Sequence, residues 1–227
     1  MNTAIEAPAR PAPHGWTRPA PTRRERLADL ALACALFVGA VLSQQLYRVA
    51  GVYPEPAAPL LTFALLGVTV LPLALRRSRP VVAALLSSVG FIAAGSLRVP
   101  ELLIINISLF LAIYSIGAWV SRRALAGGAR AVIVIVMAAW LMIALFQSAT
   151  DPEVLDDFPN AGMFSPLVAY MLIQVLINLL YFAAAWWFGD RAFASAHARW
   201  ELEQRTAELE RERERTAAQA GPQDRQG

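Results

Sequence analysis

Two histidines, one cysteine and a short run of acids are the side chains of this sequence that could do chemistry. Cys34 stands alone inside an apolar run, and His14 and His197 lie in polar segments at opposite ends. A zinc site or an activated nucleophile needs such groups to converge. No His/Cys/Asp constellation has that spacing, so no catalytic residue, metal ligand or cofactor site is expected, and the chain itself is not expected to be an enzyme. Asp151, Glu153, Asp156 and Asp157 could offer oxygen ligands to a hard divalent cation. They lack the Asp-x-Asp-x-Asp-Gly order of an EF-hand loop, and outer loops of membrane proteins carry acids freely. Polar residues also punctuate the apolar runs: Gln44, Gln45, Asn106, Gln147, Gln174 and Asn178. Gln174 and Asn178 are one helical turn apart and share a face. Asn106, Gln174 and Asn178 are read as intramembrane polar contacts, hydrogen bonds between helices worth about 1 kcal/mol or less each, in preference to a ligand site. No ionisable group is expected deep in a span, which argues against ion-coupled transport.

The elements that must position these groups follow from composition. Hydrophobic residues make up 57% of the chain against 16% charged, and they come in long blocks, the pattern of a polytopic helical membrane protein. The expected fold is all-α. Residues 1–26, Ala/Pro-rich and then basic, read as a disordered cytoplasmic tail. Six spans follow at 27–47, 60–75, 81–97, 102–120, 131–149 and 167–188, each near the length that crosses a bilayer. In the first, Ala31, Ala35, Gly39 and Ser43 recur every four residues and could let another helix approach. Pro72 should kink or stop the second. Arg98 to Glu101 joins the third and fourth as a hairpin, and 121–130, with Gly127 and Gly128, reads as a basic flexible loop. All 20 basic residues are arginine, which suggests codon bias rather than a nucleic-acid footprint. They cluster in segments that share one side if both termini are cytoplasmic; the other side keeps Arg48 and Arg98. The positive-inside rule then gives a multi-pass plasma-membrane protein with both termini inside and the lipid bilayer as its first partner.

Beyond the last span, 189–218 reads as a charged cytoplasmic helix or coiled coil, followed by a disordered tail over 219–227. Leu202 and Leu209 are seven apart, a spacing that could seam a homodimer through the sixth helix and this stalk. Gly189-Asp190-Arg191, then Trp200, then Glu208-Leu209-Glu210-Arg211-Glu212-Arg213-Glu214 resembles the linker of bacterial sensor histidine kinases that pair with LuxR/NarL-type response regulators. The basic-Pro turn Arg76-Arg77-Ser78-Arg79-Pro80 and the span end Leu111-Ala112-Ile113-Tyr114-Ser115-Ile116 are similar to that family's membrane region. The resemblance covers roughly residues 23–218 and implies a sensory input module in two-component signal transduction, with Trp200, Leu202 and Leu209 on the signalling helix. In that family the stalk runs into an Arg-Glu-Leu-His-Asp-like helix with the phosphoaccepting histidine and then an ATP-binding domain. Here Thr216 to Gly227 reads TAAQAGPQDRQG, Gly221-Pro222 should break the helix, and His197 has no acidic neighbour beside it in sequence. The chain is therefore expected not to phosphorylate itself, whether it is a truncated or frame-shifted kinase or a stand-alone sensor that engages a kinase core or another cytoplasmic protein. The other reading is a small permease or membrane-assembly subunit whose stalk recruits a partner.

Overall fold

A computed structural model describes residues 16–51, 53, 55–150 and 166–220. Residues 1–15 of the expected tail over 1–26, residues 221–227 of the expected tail over 219–227, and the acids Asp151, Glu153, Asp156 and Asp157 lie outside the described residues. Within them the fold is all-α: α1 (Arg23–Val49), α2 (Pro59–Val70) continued by a 3-10 turn (Leu71–Leu75), α3 (Pro80–Ser96), α4 (Leu103–Trp119), α5 (Arg123–Thr150) and α6 (Pro166–Ala220).

Local chemistry sets the boundaries. Thr22 and Glu25 form a reciprocal capping box that starts α1. Pro59 and Pro80 occupy first-turn positions, where a missing N–H costs nothing. Pro72 falls where α2 tightens into the 3-10 turn, because its ring excludes the α-helical hydrogen bond. At the end of α3, Arg98 takes a left-handed φ of 55° and Val99 N–H returns to Ala94 O at 3.0 Å, closing the helix with a residue other than the usual glycine.

α4 is the hub. It touches every other helix, most extensively α6, and buries Ile105, Leu109, Ala112, Ile113 and Ile116. α4 and α6 run parallel: the Tyr181 hydroxyl donates to Asn106 O near one end, and Gly117 meets Gly189 near the other. α2 and α3 also approach closely, since a Cβ on Gly90 would stand 2.9 Å from Thr69 Cα. Outward, large apolar side chains are exposed along whole helix faces, among them Val38, Leu42 and Leu46 on α1, Ile135, Ile143 and Phe146 on α5, and Leu172, Leu176 and Leu180 on α6. Three helices, α1, α5 and α6, are long and apolar enough to cross a membrane; α2 with its 3-10 turn, α3 and α4 are shorter apolar helices.

Several expectations are corrected here. From Trp16 onward the N-terminal tail is held to the bundle through Trp16 and Arg18, and α1 already begins at Arg23. The presumed loop over 121–130 is mostly helix: α5 starts at Arg123, its two glycines tolerated because Arg123 and Arg130 are anchored to α6. Ala31 and Ala35 are exposed, and the buried face of α1 is Asp29, Ala33, Ala40 and Gln44. Three ionisable side chains, Asp29, Glu101 and Arg130, are buried against protein near helix ends, which leaves the expectation of no ionisable group deep in a span as it stood. Each is held by partners close in space but remote or inconspicuous in sequence.

Candidate functional site

Almost every ion pair among the described residues collects at one end of the bundle, where the N-termini of α1, α3 and α5 meet the C-terminus of α4 and the middle of α6. Asp29 accepts from Arg76 Nε at 2.7 Å, and Arg77 Nε lies 3.1 Å from its other oxygen, an ion pair without hydrogen-bond alignment; Arg77 Nη1 also reaches Glu25 at 2.8 Å. These contacts tie the turn after α2 to the first turns of α1. A buried carboxylate is costly unless charges and donors surround it, and here two guanidinium groups do so.

The second group holds α6. Arg130, only 2% exposed, donates from Nη2 to Asp190 Oδ1 at 2.8 Å, from Nη1 to Trp186 O at 3.2 Å and from Nε to Ala126 O at 3.1 Å, with its guanidinium 4.1 Å from the centre of the Trp186 ring. Arg123 pairs with the same Asp190 oxygen, donates to Gly117 O at 2.8 Å and lies 4.4 Å over Phe193. Between these arginines the backbones of α4 and α6 touch. A Cβ on Gly189 would stand 2.8 Å from Tyr114 O and 3.1 Å from Gly117 Cα, so glycine is required by the approach itself.

A strap completes the site. Residues 16–22 cross this end of the bundle before α1. Trp16 stacks on His197 at 4.9 Å, meets Phe193 edge-on at 5.2 Å and lies 6.3 Å from Trp200. Arg18 donates to Ala118 O and places its guanidinium 3.6 Å over Trp119. The α6 residues so engaged are Trp186, Gly189, Asp190, Phe193, His197 and Trp200, in which 186, 190, 193, 197 and 200 step by three or four residues along one helix face with Gly189 beside them. One face of α6 is thus gripped over four turns, starting in its apolar part and ending in its charged part.

The opposite end is built differently. Glu101 is fully buried and accepts from the N–H groups of Leu103, Ile104 and Ile105 at 2.8–3.0 Å and from the Ser43 hydroxyl at 2.9 Å, so it caps α4 and ties it to α1. Beside it a cavity of about 740 Å³ opens among α3, α4, α5 and α6, with Tyr53, Ser96, Arg98, Trp140, Tyr170 and Gln174 among its lining.

The residues singled out from sequence fall in separate places. Trp200 belongs to the gripped stripe, whereas Leu202 and Leu209 point elsewhere and stand 61% and 57% exposed. Gln174 donates to the Tyr170 hydroxyl at 2.9 Å, Asn178 to Gln174 O at 2.9 Å, and Asn106 to Leu102 O, each within its own helix rather than between helices; only the Asn106 carbonyl, through Tyr181, bridges two. His197 does have an acidic neighbour one turn on, Glu201 Oε1 at 3.6 Å. The residues that organise the site, Trp16, Arg123, Arg130, Gly189 and Asp190, were missed as a group. Their signals are present in the sequence: a lone tryptophan in a Pro/Ala segment, and two arginines seven apart, hence on one face once 123–130 is helical.

Residues 14–194 match the family described as Domain of unknown function (DUF7134). The match runs from the strap to Phe193 and Ala194, so it includes the whole Arg123–Arg130–Asp190 group. No curated protein and no solved structure matches the chain.

Proposed function

The chain belongs to the DUF7134 family, and on that premise we propose that it is a membrane-embedded sensory input module of the sensor-histidine-kinase type, whose output element is α6. The observation that carries this reading is the continuity of α6: 55 residues of unbroken helix, about 80 Å long, leading from exposed apolar turns through the gripped stripe into the Glu/Arg segment. A rigid rod held on one face near its middle transmits tilt or rotation from one end to the other, a change of packing rather than chemistry.

In this reading six helices span the bilayer. The three long ones do so by length. The shorter three, each of about 17 residues with the 3-10 turn counted, sit at the lower edge of the spanning range and pack against the long ones. The exposed apolar faces are then covered by lipid, and the arginine-rich end lies in the cytoplasm. The signal enters in the opposite half, where the 740 Å³ cavity separates α5 from α6. Leu202 and Leu209, exposed and seven apart, form the seam of a parallel dimer through which a cytoplasmic kinase core or other protein is engaged.

The test is a fusion of the chain, through α6, to a heterologous dimeric kinase core, with one to seven residues inserted after Trp200. Each insertion rotates the downstream helix by about 100°, so output should oscillate with insert length and recover near seven. Indifference to the inserts, or a steady decline with their length, would overturn the reading.

A further inference from the structure

Asp29 and Glu25 engage Arg76 and Arg77, but the strap brings more positive charge to the same place than these acids balance. A cavity of about 510 Å³ opens there, lined by Arg18, Arg26, Arg77, Ser78 and Trp119 with the prolines of the strap. Two of these cations converge on one indole: Arg18 lies 3.6 Å and Arg77 5.2 Å from the centre of the Trp119 ring. Among the described residues no carboxylate is within ion-pair distance of Arg18 or Arg26. Burial, above all, pulls the Arg18 guanidinium below its ordinary pKa; the Arg77 charge adds to this, while Tyr114 and Glu25 oppose it. A half-buried cation that shares one aromatic ring with a like charge calls for an anion with several acceptor oxygens.

We propose that this cavity binds the phosphate headgroup of an anionic phospholipid in the leaflet at the arginine-rich end. Position favours lipid over a free anion. The cavity lies at the end of the apolar helices, between Val120 and Pro80, where a headgroup sits when its acyl chains run along the exposed apolar faces. Binding has a structural consequence, because Arg18 is two residues from Trp16, whose ring stacks on His197 of α6. A bound headgroup fixes the strap and with it the grip on the exit helix. The inference goes beyond the signalling reading and shares only the membrane placement with it.

The test uses the full chain purified in detergent and titrated with phosphatidylglycerol, phosphatidylcholine or inorganic phosphate, with lipid retention followed by native mass spectrometry and by the shift in Tm. Phosphatidylglycerol should bind more tightly than phosphatidylcholine. Arg26→Gln, which alters an exposed side chain and leaves folding intact, should weaken it about fivefold, and Arg18→Gln with Arg26→Gln about 25-fold. Arg122→Gln, exposed and outside the cavity, should change nothing. Equal binding of the two lipids, equal losses in Arg26→Gln and Arg122→Gln, or inorganic phosphate displacing phosphatidylglycerol at matched concentration would each overturn the proposal. Because lipid retention is read directly, it does not depend on the output of any kinase fusion.

Discussion

Arg130 shows how one side chain can organise an interface. Its guanidinium is planar and carries five donors, and three of its nitrogens are used on Ala126, Trp186 and Asp190. Arg130→Met would remove these bonds, leave the Trp186 carbonyl without its second donor and leave Asp190 to Arg123 alone. Asp190 is 40% exposed, so water screens part of the loss; we expect a cost of about 2 kcal/mol, the range of hydrogen bonds to charged groups. A clear fall in Tm in detergent would bear this out, and an unchanged Tm would refute it. Arg130→Lys should restore only part of the loss, because one ammonium nitrogen replaces the three separated nitrogens that reach Ala126, Trp186 and Asp190. Asp29 follows the same logic at α1: an acid inside an apolar run is tolerated where two arginines of a neighbouring turn close on it.

At the level of elements, the contact between α4 and α6 decides where the exit helix sits. Under the proposed membrane placement no hydrophobic force draws helices together, so close van der Waals approach and a few polar contacts must do so. Gly117 and Gly189 permit that approach. Gly189→Ala would force a methyl group against the backbones of Tyr114 and Gly117, which cannot yield as a flexible side chain would. We expect a loss of about 1–3 kcal/mol as α6 is pushed off α4. Gly128→Ala is the matched control. A Cβ there meets nothing within 4 Å, and alanine favours the helix, so stability should hold or rise slightly. Equal Tm values for the two variants would show that the crossing is looser than its geometry implies.

The whole molecule is asymmetric along its axis, with guanidinium groups, ion pairs and stacked aromatic rings at one end and a capping carboxylate with a cavity at the other. Under the proposed orientation, a reporter active only outside the cytoplasm should be silent when fused after Arg215 and active when inserted at Gly51, in the turn between α1 and α2. The opposite pattern would invert the topology, placing the arginine-rich end outside.

How much of this was legible beforehand depended on whether the cause was local. Apolar run lengths, the Pro72 interruption and the sidedness of arginine are written in consecutive residues, so the helical class and the apolar segments could be read from sequence. Helix-terminal turns rich in charge and glycine, such as 121–130, carry no apolar periodicity, and α5 extends through them only because Arg123 and Arg130 find Asp190 across the bundle. The same holds for Glu101, an ordinary loop acid until α4 turns its first N–H groups toward it. Sequence by itself determined that the chain is helical and strongly apolar, because backbone hydrogen bonding and the length of each apolar run act on each segment alone. Only tertiary structure decided which charges are buried, which glycines touch and which face of α6 is held, because pairing energies depend on neighbours that the order of residues does not supply.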